Sequence, residues 1–255
     1  MKRIAEVTSQ NASWSNWAGN QRIEQASIYT PKTEDELQQI VSYASANNMR
    51  IKAVGSGHSF TAIALAEEII IDLSNYDEIV AIDRVKKTVT VQSGIQLSKL
   101  NHELHKNGLA MQNLGDIAYQ TIAGAISTST HGTGIKFTGI ANQVVALRIV
   151  LADASVVECS PETEAEVFHC ARVGLGALGL ISTVTIQLVP AFNLSVIEEP
   201  MRVDDVLANL NHHVETNDHF EFFWVPHTGW ALTKRNNRTL EPAKPMTKLS
   251  HWYSK

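Results

Sequence analysis

Residues 51–65 read Ile51-Lys52-Ala53-Val54-Gly55-Ser56-Gly57-His58-Ser59-Phe60-Thr61-Ala62-Ile63-Ala64-Leu65. The apolar run Ile51–Val54 follows two poor helix formers, Asn47-Asn48, and has the length and composition of a short strand. Gly55 and Gly57 let the backbone behind it turn tightly with its N–H groups directed into one concavity, the way a pyrophosphate is held. A doubly wound NAD site would need a third glycine, a helix immediately behind the loop and an acidic residue roughly 20 positions on at a strand end. Thr61–Leu65 carries no such helix. On the residues alone, Gly55, Ser56, Gly57, His58 and Ser59 read equally well as a structural turn and as a phosphate cradle.

Working outward, Ala26–Thr30 reads as a strand stopped by Pro31. Thr33 and Glu36 form a capping-box pair, and Leu37, Ile40, Val41 and Ala44 then recur at helical spacing as far as Asn47. Downstream, Ile69–Leu73, Ile79–Asp83 and Thr88–Gln92 read as strands, the last two as a hairpin. Leu97, Leu100 and Leu104 mark an amphipathic helix that stops at Asn107-Gly108. A second hairpin runs from Val144 to Leu151 and returns through Val156-Val157. The alternating Leu180–Val189, closed by Pro190, completes the series. Strands and helices in this irregular order predict an α+β fold and not the regular alternation of a parallel doubly wound sheet.

Past Pro190 the pattern is strand (Phe192–Ile197), helix (Val203–Val214), strand (Phe220–Val225) and strand (Trp230–Thr233), dissolving over Arg235–Lys255. A segment of about 65 residues is near the lower limit for burying its own core. It is expected to be a docked subdomain or the opening of a larger one, in which case the chain stops early.

With 255 residues, 44% of them hydrophobic and 18% charged, the chain can bury a substantial core. Its 26 acidic and 21 basic residues give a net charge of -5 without a dense Lys/Arg run, which disfavours nucleic acid as a partner. No segment approaches the ~20 apolar residues of a membrane span, and no apolar run follows the basic start Met1-Lys2-Arg3, so neither a span nor a signal peptide is expected. Cys159 and Cys170 are too few for a disulfide framework, which points to reduced thiols in a cytoplasmic protein.

Two further segments bear on chemistry. Leu114–Gly134 is dominated by small and hydroxylated residues, nearly uncharged, and lacks the bulk of an ordinary core element. Such a backbone suits close approach to a large flat ligand. In Gly174-Leu175-Gly176-Ala177-Leu178-Gly179-Leu180 the glycines are accounted for by close backbone packing without a ligand. His102 and His105 fall one residue short of the zincin spacing and lack a third ligand, so no metal site is expected. His58 and His131 stand apart because each lies within a Gly/Ser/Thr segment. No nucleophile elbow or activated cysteine is present.

Taken in order, Asn16-Trp17-Ala18-Gly19-Asn20, Tyr29-Thr30-Pro31, Val54–Ser59, Gln120–Gly134, Leu151-Ala152-Asp153 and Gly176–Ile181 resemble the FAD-linked oxidases of the vanillyl-alcohol oxidase type. Within these the chain is most similar to the aldonolactone (gulonolactone and arabinonolactone) and alditol oxidases, and the likeness continues more weakly into Phe220–Thr228. The resemblance implies a two-subdomain, PCMH-type FAD-binding domain over residues 1–190, then the beginning of an α+β cap over 191–255 that is cut short. It implies that Gly55–Ser59 hold the pyrophosphate of FAD and that His58 occupies the position bonded covalently to the flavin in many members. Asp116, Thr121, Gly124, Thr128, Ser129, Thr130 and His131 match positions lining the flavin and its phosphates, and Ile181 matches a backbone contact. Gly115 matches a gate position where glycine accompanies oxygen-reactive oxidases. Most of the family's substrate-orienting residues lie in a later part of the cap, so no catalytic residue is assigned. His251-Trp252-Tyr253-Ser254-Lys255 has one residue too many and comes too early for the family's late His-Trp-x-Lys signature.

The expectation is an FAD-dependent oxidoreductase that oxidises a CH–OH group of a sugar or lactone, with oxygen as acceptor, in the cytoplasm, with peripheral membrane association left open. Two alternatives stand beside it: a flavin-binding module without turnover, and a dehydrogenase of the same fold with another acceptor.

Overall fold

In the computed structural model, which describes Val7 and residues 9–242, the chain begins with β1 (Ser9–Ser15) and β2 (Arg22–Tyr29), an antiparallel pair. Helix α1 (Glu34–Ala46) starts where the sequence places it: Thr33 Oγ1 accepts from Glu36 N at 3.2 Å, and the Glu36 carboxylate accepts from Lys32 N. It buries Leu37, Ile40, Val41 and Ala44, each large aliphatic worth roughly 1.5–3 kcal/mol. Strands β3 (Ile51–Val54) and β4 (Ile69–Asp72) then pair in parallel, as do β2 and β4, so the first sheet has the order β1-β2-β4-β3.

The second sheet is antiparallel. It is built from β5 (Ile79–Asp83) and β6 (Thr88–Gln92), then, beyond α2 (Leu97–Lys106), β7 (Leu109–Met111), and, beyond α3 (Ile122–Ser127), β8 (Val144–Val150) and β9 (Val156–Cys159). Helix α4 (Ala165–Ala171) precedes β10 (Leu180–Pro190), the central strand, which pairs with β6, β7 and β8 along its length. Leu97, Leu100 and Leu104 of α2 and Ile122 and Ile126 of α3 pack into the core of this sheet. Val150 and Leu180 belong instead to the α1 core, where the two subdomains meet. Their junction is polar as well. Arg148 of β8 donates to both carboxylate oxygens of Glu34 on α1 at 2.7 and 2.9 Å, and Ser182 Oγ on β10 donates to the same carboxylate at 2.7 Å.

A second unit comprises Thr133–Phe137 together with the chain from Ala191 onward. Its elements are β11 (Asn193–Arg202), α5 (Val203–Ala208), α6 (Leu210–Thr216), β12 (His219–Val225) and β13 (Trp230–Thr239), with sheet order β11-β13-β12.

The α+β reading and the β-α-β-β order of the second unit hold. Four points differ. Ile122–Ser127, expected to lack the bulk of a core helix, forms one because Ile122 and Ile126 lie one turn apart on its buried face and Thr121 caps it. The helix expected over Val203–Val214 breaks at Asn209, whose amide nitrogen donates to the Asp205 carbonyl at 2.9 Å. The last strand does not stop at Thr233 but runs to Thr239. Lys234 pairs across the sheet with Glu221, Arg235 with Glu199, and the Arg238 guanidinium lies 4.5 Å from the Phe137 ring and 4.3 Å from the Phe192 ring. Strands β1 and β7 and helix α4 are further elements that periodicity did not reveal. Residues 251–255 lie outside those described. Among the described residues, no helix is long and apolar enough to cross a membrane.

Candidate functional site

Strand β3 ends at the edge of its sheet, and the Gly55–Ser59 loop leaves it under tight restraint. Gly57 has φ +68, in the left-handed region that favours glycine. A Cβ on Gly55 would lie 2.2 Å from Thr121 Oγ1, so only glycine lets the loop approach the start of α3. The Asn16–Gln21 turn clamps the loop from the other side: Trp17 N donates to the Gly57 carbonyl at 2.8 Å and the buried Asn16 amide to the Ser59 carbonyl at 2.9 Å. Ser56 Oγ donates to the Tyr119 carbonyl.

Thr121 is fixed in turn. Ile122 N donates to the Ile95 carbonyl, Leu97 N donates to the Gln120 carbonyl, and Thr121 Oγ1 accepts from Gly124 N at 3.3 Å. Opposite stands the Leu175–Ile181 strip, the approach to β10. There Gly179, at φ +154, is pressed so close to β8 that a Cβ would meet the Val150 carbonyl at 2.4 Å, whereas Gly176, at φ +70, faces open space.

Between these elements lies a cavity of about 310 Å³, within the size range of cofactor clefts. Of the residues singled out by sequence, Gly55, Ser56, Gly57, His58, Ser59, Thr121, Gly124, Thr128 and Ile181 line it. The His58 ring has the Trp17 indole beside it at 5.6 Å between centroids.

Gly115, Asp116, Ser129, Thr130 and His131 are not among its lining residues. They belong to two backbone stretches that run side by side. A Cβ on Gly132 would lie 2.1 Å from the Leu114 carbonyl, and one on Gly115 would lie 3.1 Å from the His131 carbonyl. The buried Gln143 amide pins the first stretch, donating to the Asn113 carbonyl at 2.7 Å and accepting from Gln112 N at 2.9 Å. Thr130 Oγ1 joins the second stretch to the cavity by accepting from Gln120 Nε2 at 3.2 Å.

Gln120, Lys52 and Leu175–Leu180 also line the cavity; sequence reasoning gave them no site role, although Gln120 and residues 176–180 fall within motifs that carry the resemblance. The glycines at 174, 176 and 179 were the available signal. Close packing explains Gly174, where a Cβ would meet the Cys170 carbonyl at 2.7 Å, and Gly179, but not Gly176. Two features of the cavity fit a dinucleotide with many hydroxyl and amide groups. Gly176 leaves open space beside the cavity, with nothing within 4 Å of where a Cβ would stand, and Gln120 Oε1 is, among the described residues, a buried acceptor without a hydrogen-bond partner.

Residues 26–160 match the family described as FAD binding domain, and residues 184–255 match the family described as D-arabinono-1,4-lactone oxidase. The L-gulono-1,4-lactone dehydrogenase of Mycobacterium tuberculosis is 40% identical over 232 residues, covering 91% of this chain and 54% of that protein. The L-gulonolactone oxidase of Mus musculus is 38% identical over 239 residues, 93% of this chain and 53% of that protein. The chain thus spans about half the length of the curated relatives it matches. Among solved structures, a solvent-stable cholesterol oxidase superposes with a TM-score of 0.86 at 22% identity, over 94% of this chain and 50% of that one, a likeness of fold.

Proposed function

The chain belongs to the FAD-binding domain family, and from that premise we propose that it is an FAD-dependent oxidoreductase oxidising a CH–OH group of a sugar-derived lactone or alditol. The observation that carries this reading is the cavity against which the Gly55–Ser59 loop, Thr121 and the Leu175–Ile181 strip converge. The names of the two relatives, a gulonolactone dehydrogenase and a gulonolactone oxidase, support the substrate class.

In this reading residues 1–190 form the FAD-binding domain and 191–255 belong to the substrate-covering cap. Gly55–Ser59 hold the pyrophosphate through backbone N–H groups and the Ser59 hydroxyl. Thr121, Gly124, Thr128 and Ile181 border the cofactor from the cavity, and Asp116, Ser129, Thr130 and His131 approach it along the neighbouring strip. Bound flavin supplies the hydride acceptor; the protein supplies position and electrostatics. His58 is the attachment point for covalent flavin. Its imidazole would hold bound FAD covalently, and the flavin, when bound, would supply the redox chemistry. By resemblance Gly115 stands at a gate position where glycine accompanies oxygen-reactive oxidases, and this supports the oxidase reading. The free thiols of Cys159 and Cys170 support a reducing, cytoplasmic setting.

A second reading, a dehydrogenase passing electrons to another acceptor, is favoured by the name of the mycobacterial relative. The test begins with the visible spectrum of the purified chain and of its acid-precipitated pellet. A yellow pellet supports the covalent link, and His58→Ala should then release FAD on denaturation. Lactone-dependent bleaching of the flavin band supports turnover. Re-oxidation by air at a rate matching that with an artificial acceptor supports the oxidase, and a flavin that never bleaches overturns the enzymatic reading.

A further inference from the structure

Among the described residues lining the cavity, Lys52 is the one lysine or arginine, and none is a carboxylate. It stands on the edge strand β3 in register with Ile70, while its neighbours Ile51 and Ala53 pack against the α1 core. Its side chain is half-buried. Among the described residues it makes no ion pair, and its ammonium donates one long hydrogen bond, 3.4 Å, to the Leu175 carbonyl on the facing strip. That one hydrogen bond is long and solvent-exposed, so an anion entering the cavity would meet a flexible-stemmed cation at its wall with no lining carboxylate competing for it. The Gly55–Ser59 loop offers N–H groups and the Ser59 hydroxyl but no acidic or basic side chain other than the His58 imidazole.

We propose that Lys52 is the charge-compensating residue of the cofactor site, its ammonium leaving the Leu175 carbonyl to pair with a phosphate oxygen of the dinucleotide. Lysine serves this role as a point charge on a flexible stem. The assignment rests on the flavin reading above and extends it. Lys52 selects for the diphosphate of FAD and contributes nothing to a ligand without phosphate.

The test uses the full chain in a His58→Ala background, so that no covalent bond traps the cofactor. Dissociation constants for FAD are measured at low and high ionic strength for Lys52, Lys52→Met and Lys52→Arg, with adenosine as a phosphate-free competitor. Lys52→Met should weaken FAD about tenfold at low salt and lose most of the salt dependence, because an ion pair is screened and an apolar contact is not. Lys52→Arg should retain both, and adenosine should compete equally well throughout. If Lys52→Met fails to fold, Lys52→Gln is read in the same way. Equal FAD affinity and equal salt dependence in the lysine and methionine proteins overturn the assignment, as does an equal loss for FAD and adenosine, which would make Lys52 a piece of wall. A parent chain that takes up no FAD overturns the flavin reading itself, and the assignment with it.

Discussion

A Cβ placed on Gly55 would stand 2.2 Å from Thr121 Oγ1 and 3.1 Å from Thr121 Cγ2, so the loop after β3 and the cap of α3 occupy adjoining space with none to spare. Thr121 cannot swing aside, because it is β-branched and its hydroxyl caps Gly124 N. Gly55→Ala should therefore destabilise by about 1–3 kcal/mol through overpacking. Thr121→Ala alone should cost about 1 kcal/mol for the lost cap. Combined, the effects should fall short of their sum, since Thr121→Ala removes both offending atoms. Equilibrium urea unfolding of the four proteins measures the coupling; strict additivity would mean that the two residues do not touch.

The Glu34–Arg148 pair predicts a pH dependence. The Arg148 guanidinium, aided by the Ser182 hydroxyl, holds the Glu34 carboxyl below its ordinary value. A carboxylate with a lowered folded-state pKa contributes stability that is present above the unfolded pKa and lost as pH falls through the folded one. Glu34→Gln should thus lose about 1–2 kcal/mol at neutral pH, less than the about 1.5–3 kcal/mol of hydrogen bonds to charged groups because the pair is partly exposed. The gap to the parent should narrow below about pH 4, where the parent's carboxylate becomes protonated. Thermal midpoints of both proteins from pH 3 to 8 would show it, and a gap independent of pH would remove the carboxylate's charge from the explanation.

The same network explains part of what sequence could and could not show. Capping chemistry and periodicity reveal α1, both expected hairpins, α2 and β10, because each follows from neighbours a few positions apart. The tie between Glu34 and Ser182, by contrast, spans 148 positions. No local pattern encodes it. Strand β1, Ser9–Ser15, is polar and largely exposed, and its existence depends on pairing with β2. At the site, the loop glycines were legible because tight turns demand them. Lys52 and Gln120 were not, since an edge-strand lysine and a loop glutamine look like ordinary surface residues until the facing strip is in place.

The glycines of that strip should separate by substitution. Gly179→Ala forces a Cβ to within 2.4 Å of the Val150 carbonyl at φ +154 and should prevent the native packing of β10 on β8. Gly176→Ala meets nothing within 4 Å and carries only the strain of φ +70, about 1–2 kcal/mol. Soluble yield and melting temperature should therefore fall sharply for the first and by a few degrees for the second. Similar behaviour of the two would contradict the division between packing and cavity-facing glycine.

Asn16 is 4% exposed, and its amide is fully committed: Nδ2 donates to Asn20 Oδ1 at 2.7 Å and to the Ser59 carbonyl at 2.9 Å, while Oδ1 accepts from Gln21 N at 3.0 Å. It thus joins the N-terminal turn to the far end of the Gly55–Ser59 loop. Asn16→Asp keeps the acceptor but turns the donor into a second acceptor facing the Ser59 carbonyl. Asn16→Ala removes both and leaves the carbonyl access to water. If the amide's task is to hold the loop, Asp should be the worse substitution despite its closer shape, because it adds repulsion where Ala leaves only an unmade bond worth about 1 kcal/mol. The loop should loosen before the cores do. Amide hydrogen exchange over Gly55–Phe60 should rise in both variants, more in Asp, while exchange in α1 and β10 stays at the parent level. Acceleration spread evenly over the chain would make Asn16 a general contributor to stability, without a particular role in setting the loop.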